Sequence, residues 1–215
     1  MPKKPAACLS LFIVIACTNL AAQAPHIASP QHSAIIHRAN GPDAGLTKIY
    51  SNLGSQTDAY DDGISYQITG PGNPLWGKGY LAMPFTPAKN FMAKEILMAL
   101  GTFGGDDSAT LAIFNDHNGV PAQPLKAWTA ANFPQEGTCC QLLALKDPDG
   151  APLRAGEQYW IVAGTGLGQD NSAYKWNFVW NDASGKVAFL NGNTNDQWLP
   201  YTDNVAAFAV YGVVH

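Results

Sequence analysis

Charge is scarce in this chain. Of its 215 residues only 13% are Asp, Glu, Lys or Arg, with 12 basic against 16 acidic side chains. No Lys/Arg cluster breaks that mildly acidic balance. The electrostatic footprint of a nucleic-acid binder is therefore missing, and so is the basic amphipathic helix of a membrane-surface binder. Cysteine is nearly as rare: Cys8 and Cys17 fall near the start, which leaves Cys139 and Cys140 for the rest. Adjacent cysteines cannot staple distant segments together, so a disulfide framework is excluded. Long apolar runs are lacking too. The N-terminal one covers about a dozen residues, short of the roughly 20 that a spanning helix needs.

That short run has a different meaning. Lys3 and Lys4 precede the apolar residues 6–16, and small residues follow, the order of a bacterial-type export signal over residues 1–22. Cleavage after Ala22 or Ala24 competes with a lipobox, Val14-Ile15-Ala16-Cys17, in which cleavage before Cys17 would leave a lipidated cysteine. Either route predicts an exported protein, extracellular or at the cell surface, with a periplasmic or outer-membrane lipoprotein as the Cys17 variant. Removing residues 1–22 takes away two lysines and no acids, leaving a net charge of −6. In an oxidising compartment Cys139 and Cys140 are expected to form a vicinal disulfide, the alternatives being interchain pairing or two small buried thiols.

Residues 23–44 carry no regular pattern and read as a flexible tail or linker, with His26, His32 and His37 scattered along it. From residue 45 to 215, short runs of β-formers alternate with turn clusters. Strands are predicted near 47–53, 64–69, 79–85, 91–100, 109–115, 125–130, 141–146, 158–164, 174–181, 186–190 and 205–213. Turns are expected at Asp61-Asp62-Gly63, Asn118-Gly119, Asp147-Pro148-Asp149-Gly150 and Asn191-Gly192-Asn193, among others. The sequence FMAKEILMAL at 91–100 has helix-forming composition, but the alternation of Ile96, Met98 and Leu100 assigns it to a strand. The fold expected is all-β: a single antiparallel β-sandwich domain of jelly-roll type.

Three segments add a resemblance. They are 111–121 (LAIFNDHNGVP), 153–160 (LRAGEQYW) and the closing 207–212 (AFAVYG), together with Ile49-Tyr50-Ser51-Asn52-Leu53. With these, nearly all of 46–213 resembles the bacterial exported "choice-of-anchor" domains, of the R type that accompanies PEP-CTERM sorting tails. No such tail is present before His215. The resemblance implies an exported β-sandwich and supplies no catalytic residues.

Motifs for chemistry fail one by one. Residues 72–79 approach a phosphate-binding loop but carry Gly79 where the hydroxyl residue belongs. Residues 164–168 have the wrong spacing for a dinucleotide loop. No G-x-S-x-G is present, and the glutamates and aspartates show no pairing that would mark a glycosidase. Zinc spacing is absent. Calcium is the cofactor considered, held structurally by Asp58, Asp61 and Asp62, although turn-forming aspartates explain the same residues.

Aromatics remain. Tyr174, Trp176, Phe178 and Trp180 share one face of a strand, and the polar opposite face makes that stripe a core face before it is a sugar platform. Trp76, Trp198 and Tyr201, in Gly/Asn/Pro-rich loops, are the candidate ligand contacts. The expected function is a non-catalytic binding module for polysaccharide or other cell-surface components. The alternatives are a structural cell-surface or biofilm-matrix protein and, further off, a secreted hydrolase.

Overall fold

Period-two alternation builds this molecule, and it does so on both faces of its sheets. In 111–114, Leu111 and Ile113 enter one buried cluster while Ala112 and Phe114 enter another. In 96–99, Ile96 and Met98 face the first cluster and Leu97 and Ala99 a third. A strand buried on both faces needs near-continuous apolar sequence, and the 47% hydrophobic composition supplies it.

The computed structural model describes residues 32–33, 35–39, 41–55, 58–72, 79–105, 108–136, 141–165, 173–179, 183–191 and 197–215. Its strands form three sheets. The seven-stranded sheet A runs, in spatial order, β1 (His32–Ser33), β9 (Val120–Ala130), β8 (Ala109–His117), β11 (Tyr159–Thr165), β5 (Gly79–Phe85), β13 (Ser184–Asn191) and β14 (Leu199–Asn204). The five-stranded sheet B runs β2 (Ile35–Ala39), β10 (Leu142–Leu153), β6 (Phe91–Met98), β15 (Phe208–Val214) and β3 (Thr47–Ser51). A three-stranded sheet C, ordered β4 (Asp61–Thr69), β12 (Ala173–Phe178) and β7 (Leu100–Gly104), completes the set. All pairings are antiparallel except β1 with β9.

The main core lies between the sheets. Leu81, Met83, Ile113 and Ile161 from sheet A meet Ile96, Met98, Leu143, Leu145, Phe208 and Val210 from sheet B, and Tyr174 and Trp176 close one end from sheet C. This is the antiparallel β-sandwich expected. Residues 91–98 are a strand despite their helical composition, because both faces of β6 are buried between neighbours. Tyr174, Trp176 and Phe178 are core, as their alternation implies; Trp180 lies outside the described residues. Asn118 and Gly119, at φ 54° and 82°, make the two-residue hairpin turn that joins β8 to β9, the turn for which Asn-Gly is suited.

Besides the turn expected at Asp61-Asp62-Gly63, which lies instead at an irregular start of β4, three expectations need correction. The part of the 23–44 linker that is described contains β1 and β2, which add a terminal strand to each of the two large sheets. Their shortness hid them: a two-residue and a five-residue strand show no periodicity. Leu199–Asn204 is a strand, β14, though Pro200 and its polar neighbours read as loop. A rim strand tolerates proline because one side of it needs no donor. Third, Asp147-Pro148-Asp149-Gly150 does not separate two strands; it is a bulge inside β10. Among the described residues no helix is long and apolar enough to cross a membrane.

Candidate functional site

The outer face of sheet B carries the site, and two irregularities create it. Along β6, Ala93 and Ile96 both face the main core, so two residues, Lys94 and Glu95, occupy a space where strict alternation allows one. Across from them, β10 pairs Lys146 with Glu95 and resumes only at Ala151 with Ala93. Residues 147–150 bulge between these pairs. Asp147 Oδ1 accepts the N–H groups of Asp149 (2.9 Å) and Gly150 (3.1 Å), which closes the bulge on itself. Gly150 has φ 72°, and a Cβ there would stand 2.6 Å from the Ala93 carbonyl oxygen, so only glycine fits.

A strap lies over this region. Strands β2 and β3 are consecutive in the chain but sit at opposite rims of sheet B, so the connection between them must cross β10, β6 and β15. Residues 41–46 make that crossing on the outer face. The Asp43 N–H donates to Glu95 Oε2 (2.8 Å), and the Asp43 carboxylate pairs with Lys146 Nζ at 2.5 Å. Glu95 is 1% exposed, while the Asp43 side chain is 55% exposed, so a buried carboxylate holds an open strap.

Between strap and sheet lies a groove of about 420 Å³, lined by Asp43, Leu46, Lys94, Lys146, Pro148 and Val213 among others, with Glu95 and Asp147 reaching into it. Its charges are matched. Lys126 pairs with Asp147, Lys146 with Asp43, and Lys94 Nζ donates to the Pro148 carbonyl. Asp147 also accepts the indole N–H of Trp128 at 2.9 Å. Burial pushes the Asp147 pKa up, but hydrogen bonds from Lys126, Gly150, Trp128 and Asp149 outweigh it and hold the carboxyl below its ordinary value. Tyr211, opposite Glu95 on β15, has its phenol pKa raised by burial and then by the Glu95 charge.

The residues singled out from sequence do not converge here. Trp198 is 7% exposed and packs edge-on against Phe114 (6.5 Å, 72°), so its ring belongs to the cluster outside sheet A and offers no open face. Tyr201 is exposed, on the rim strand β14. Trp76, Cys17, Cys139 and Cys140 lie outside the described residues. Asp58 Oδ2 accepts from the Ser55 hydroxyl (3.3 Å) and Asp61 Oδ1 from the Gly63 N–H (2.8 Å), local bonds of the loop before β4 and of the irregular start of β4; Asp62 is exposed. Among the described residues no three His, Cys, Asp or Glu side chains are grouped to hold a metal ion. The groove itself left one readable signal: the change of parity between Ala93 and Ile96, with Lys-Glu at the break.

No protein-family model matches the chain, and no curated protein matches it.

Proposed function

We propose that this protein is an exported, non-catalytic binding module, akin to the choice-of-anchor domains, whose groove on sheet B takes a neutral, hydroxyl-rich ligand: carbohydrate. The close mixture of donors and acceptors in the groove carries the reading. Two lysines (94, 146) and three carboxylates (43, 95, 147) line it, and each carboxylate is already engaged by a donor of the fold, so the site offers an array of polar groups in which no charge stands alone to attract an ion. Hydroxyl groups can bridge such donors and acceptors. Val213, exposed at the rim, offers apolar surface to the carbon skeleton of a sugar.

Catalysis fits poorly. Asp147 already accepts four donors and is held ionised, so it is neither a proton donor nor a ready base. Export rests on the leader-like residues 1–22. The structural alternative draws little from the β14 rim, because Pro200 supplies no N–H to an incoming strand.

The test is a glycan and polysaccharide binding screen of the exported protein, with calcium and with chelator, repeated on Lys146→Ala, Lys94→Ala and Tyr201→Ala. Binding lost in the two lysine variants and kept in Tyr201→Ala places the ligand in the groove. Binding lost only in Tyr201→Ala moves it to the β14 rim. No binding across the panel overturns the carbohydrate reading.

A further inference from the structure

Strands β1 and β2 are each held along one edge only. They come first in chain order among the described strands, and each lies at a rim, β1 beside β9 and β2 beside β10. Seven residue pairs hold them, two in β1 and five in β2. The strap comes next in the chain. Its described residues 41–45 are all exposed, and two Asp43 contacts fix it, one to Glu95 and one to Lys146.

Beneath this arm the sheet edges are long and apolar. Leu142, Leu143, Ala144 and Leu145 of β10 are all buried, and so is Trp128 of β9. An edge of that composition cannot stand open in water and is a template for another strand. The best-matched replacement is the same arm from a second copy, since it restores every pairing. The strap has the reach to deliver it. In place it crosses four interstrand intervals, about 19 Å. The eight residue steps from Ala39 to Thr47 span at most about 27 Å when extended.

We infer that β1 and β2 (His32–Ser33 and Ile35–Ala39) are an exchangeable arm and the strap its hinge, so that two copies of this chain associate by inserting each arm into the other's β9 and β10 edges. In the closed form the arm returns to its own sheet, and the two Asp43 contacts bias the molecule towards that state. In the exchanged form the strand pairings are all kept, and the hinge contacts are given up. The partner is therefore a second copy, and association follows concentration. This inference is independent of the carbohydrate reading.

The test uses cysteines at two positions that pair across β2 and β10, His37 and Ala144. Cys139 and Cys140 are replaced by serine throughout. One preparation carries His37→Cys and another Ala144→Cys; a control chain carries both. The isolated exported proteins are mixed over a range of concentrations, oxidised and resolved by mass. The control is expected to close an intrachain disulfide, as opposed antiparallel residues allow. The mixture is expected to give an interchain disulfide whose yield rises with concentration. Asp43→Pro, which removes both the N–H and the carboxylate, is expected to raise that yield about tenfold or more, the effect of two lost hydrogen bonds. An intrachain bond in the control with no interchain species in either background shows a fixed strand and overturns the inference. So does a control that fails to close, which would refute the register. Interchain yield unmoved by Asp43→Pro would overturn the strap as the hinge.

Discussion

The outer face of sheet B is one surface with two treatments. At one end Leu97, Ala99, Leu142, Ala144, Ala207 and Ala209 form an apolar patch covered by Ala59 and Tyr60, both buried, with Leu53 packed alongside. Tyr60 directs its hydroxyl to the Gln141 carbonyl at 3.1 Å, so the ring seals the patch and its polar tip is satisfied. At the other end the same three strands carry Lys94, Glu95, Lys146 and Tyr211, and the cover is the strap at 41–46. The difference lies in the cover and the bulges. Tyrosine and leucine fill the space above the regular part of the sheet. Gly-Pro-Asp-Ala-Gly over two opposed bulges leaves a groove. A sheet face thus becomes a core or a cleft according to what passes over it, with no change in the strands' connectivity.

Substitutions at the two ends should separate these roles. The largest loss is expected at the charged end. Asp147→Ala strands a Lys126 ammonium that is 11% exposed, with the Trp128 indole and two backbone N–H groups, and should destabilise by about 4 kcal/mol in denaturant titration. Next is Leu97→Ala in the apolar patch, at about 3 kcal/mol for a fully buried leucine. If Leu97→Ala cost more than Asp147→Ala, the charged end would be the less committed part of the fold.

Acid should act on one end only. The Asp147 pKa is lower in the folded than in the unfolded chain, so its ionised form stabilises the fold above the ordinary value of 3.8, and that contribution is lost as pH falls below it towards the folded pKa. The melting temperature of the wild type should fall steeply there, and that of Asp147→Asn less steeply. Tyr60→Phe should cost about 1 kcal/mol through the hydrogen bond to the Gln141 carbonyl. The smallest effect, about 0.5 kcal/mol or less, belongs to Asp43→Ala, whose ion pair with Lys146 is largely exposed.

The same contrast decides how much of the molecule was legible in its sequence. Alternation finds β3 to β6, β8 and β11 to β13, because buried faces impose a period. It extends less far into β9 and β10, where 120–124 and 147–150 carry the proline and aspartate of turns and yet lie inside strands, the second as a bulge. The groove escaped because its parts are unremarkable alone: a Lys-Glu pair in a helical-looking strand, an Asp-Pro-Asp-Gly that resembles a chain reversal, and a stretch of strap that resembles a linker. Only the strand order 2-10-6-15-3 brings them together, and that order depends on pairings between residues far apart in sequence. Trp198 shows the converse. A Gly/Asn-rich neighbourhood suggests an exposed ring, but a large indole beside Phe114 has more to gain under cover.

The arm and strap also set how the molecule meets a pull. Tension arriving through the chain before His32 is carried first by the two pairs of β1, then by the five of β2, then by the Asp43 contacts. None of these lies between the strands that enclose the main core. Their release would let out residues 32–46, about 50 Å of slack, before force reached β3. The first described strands would thus yield to tension before the sandwich behind them, as a fuse does.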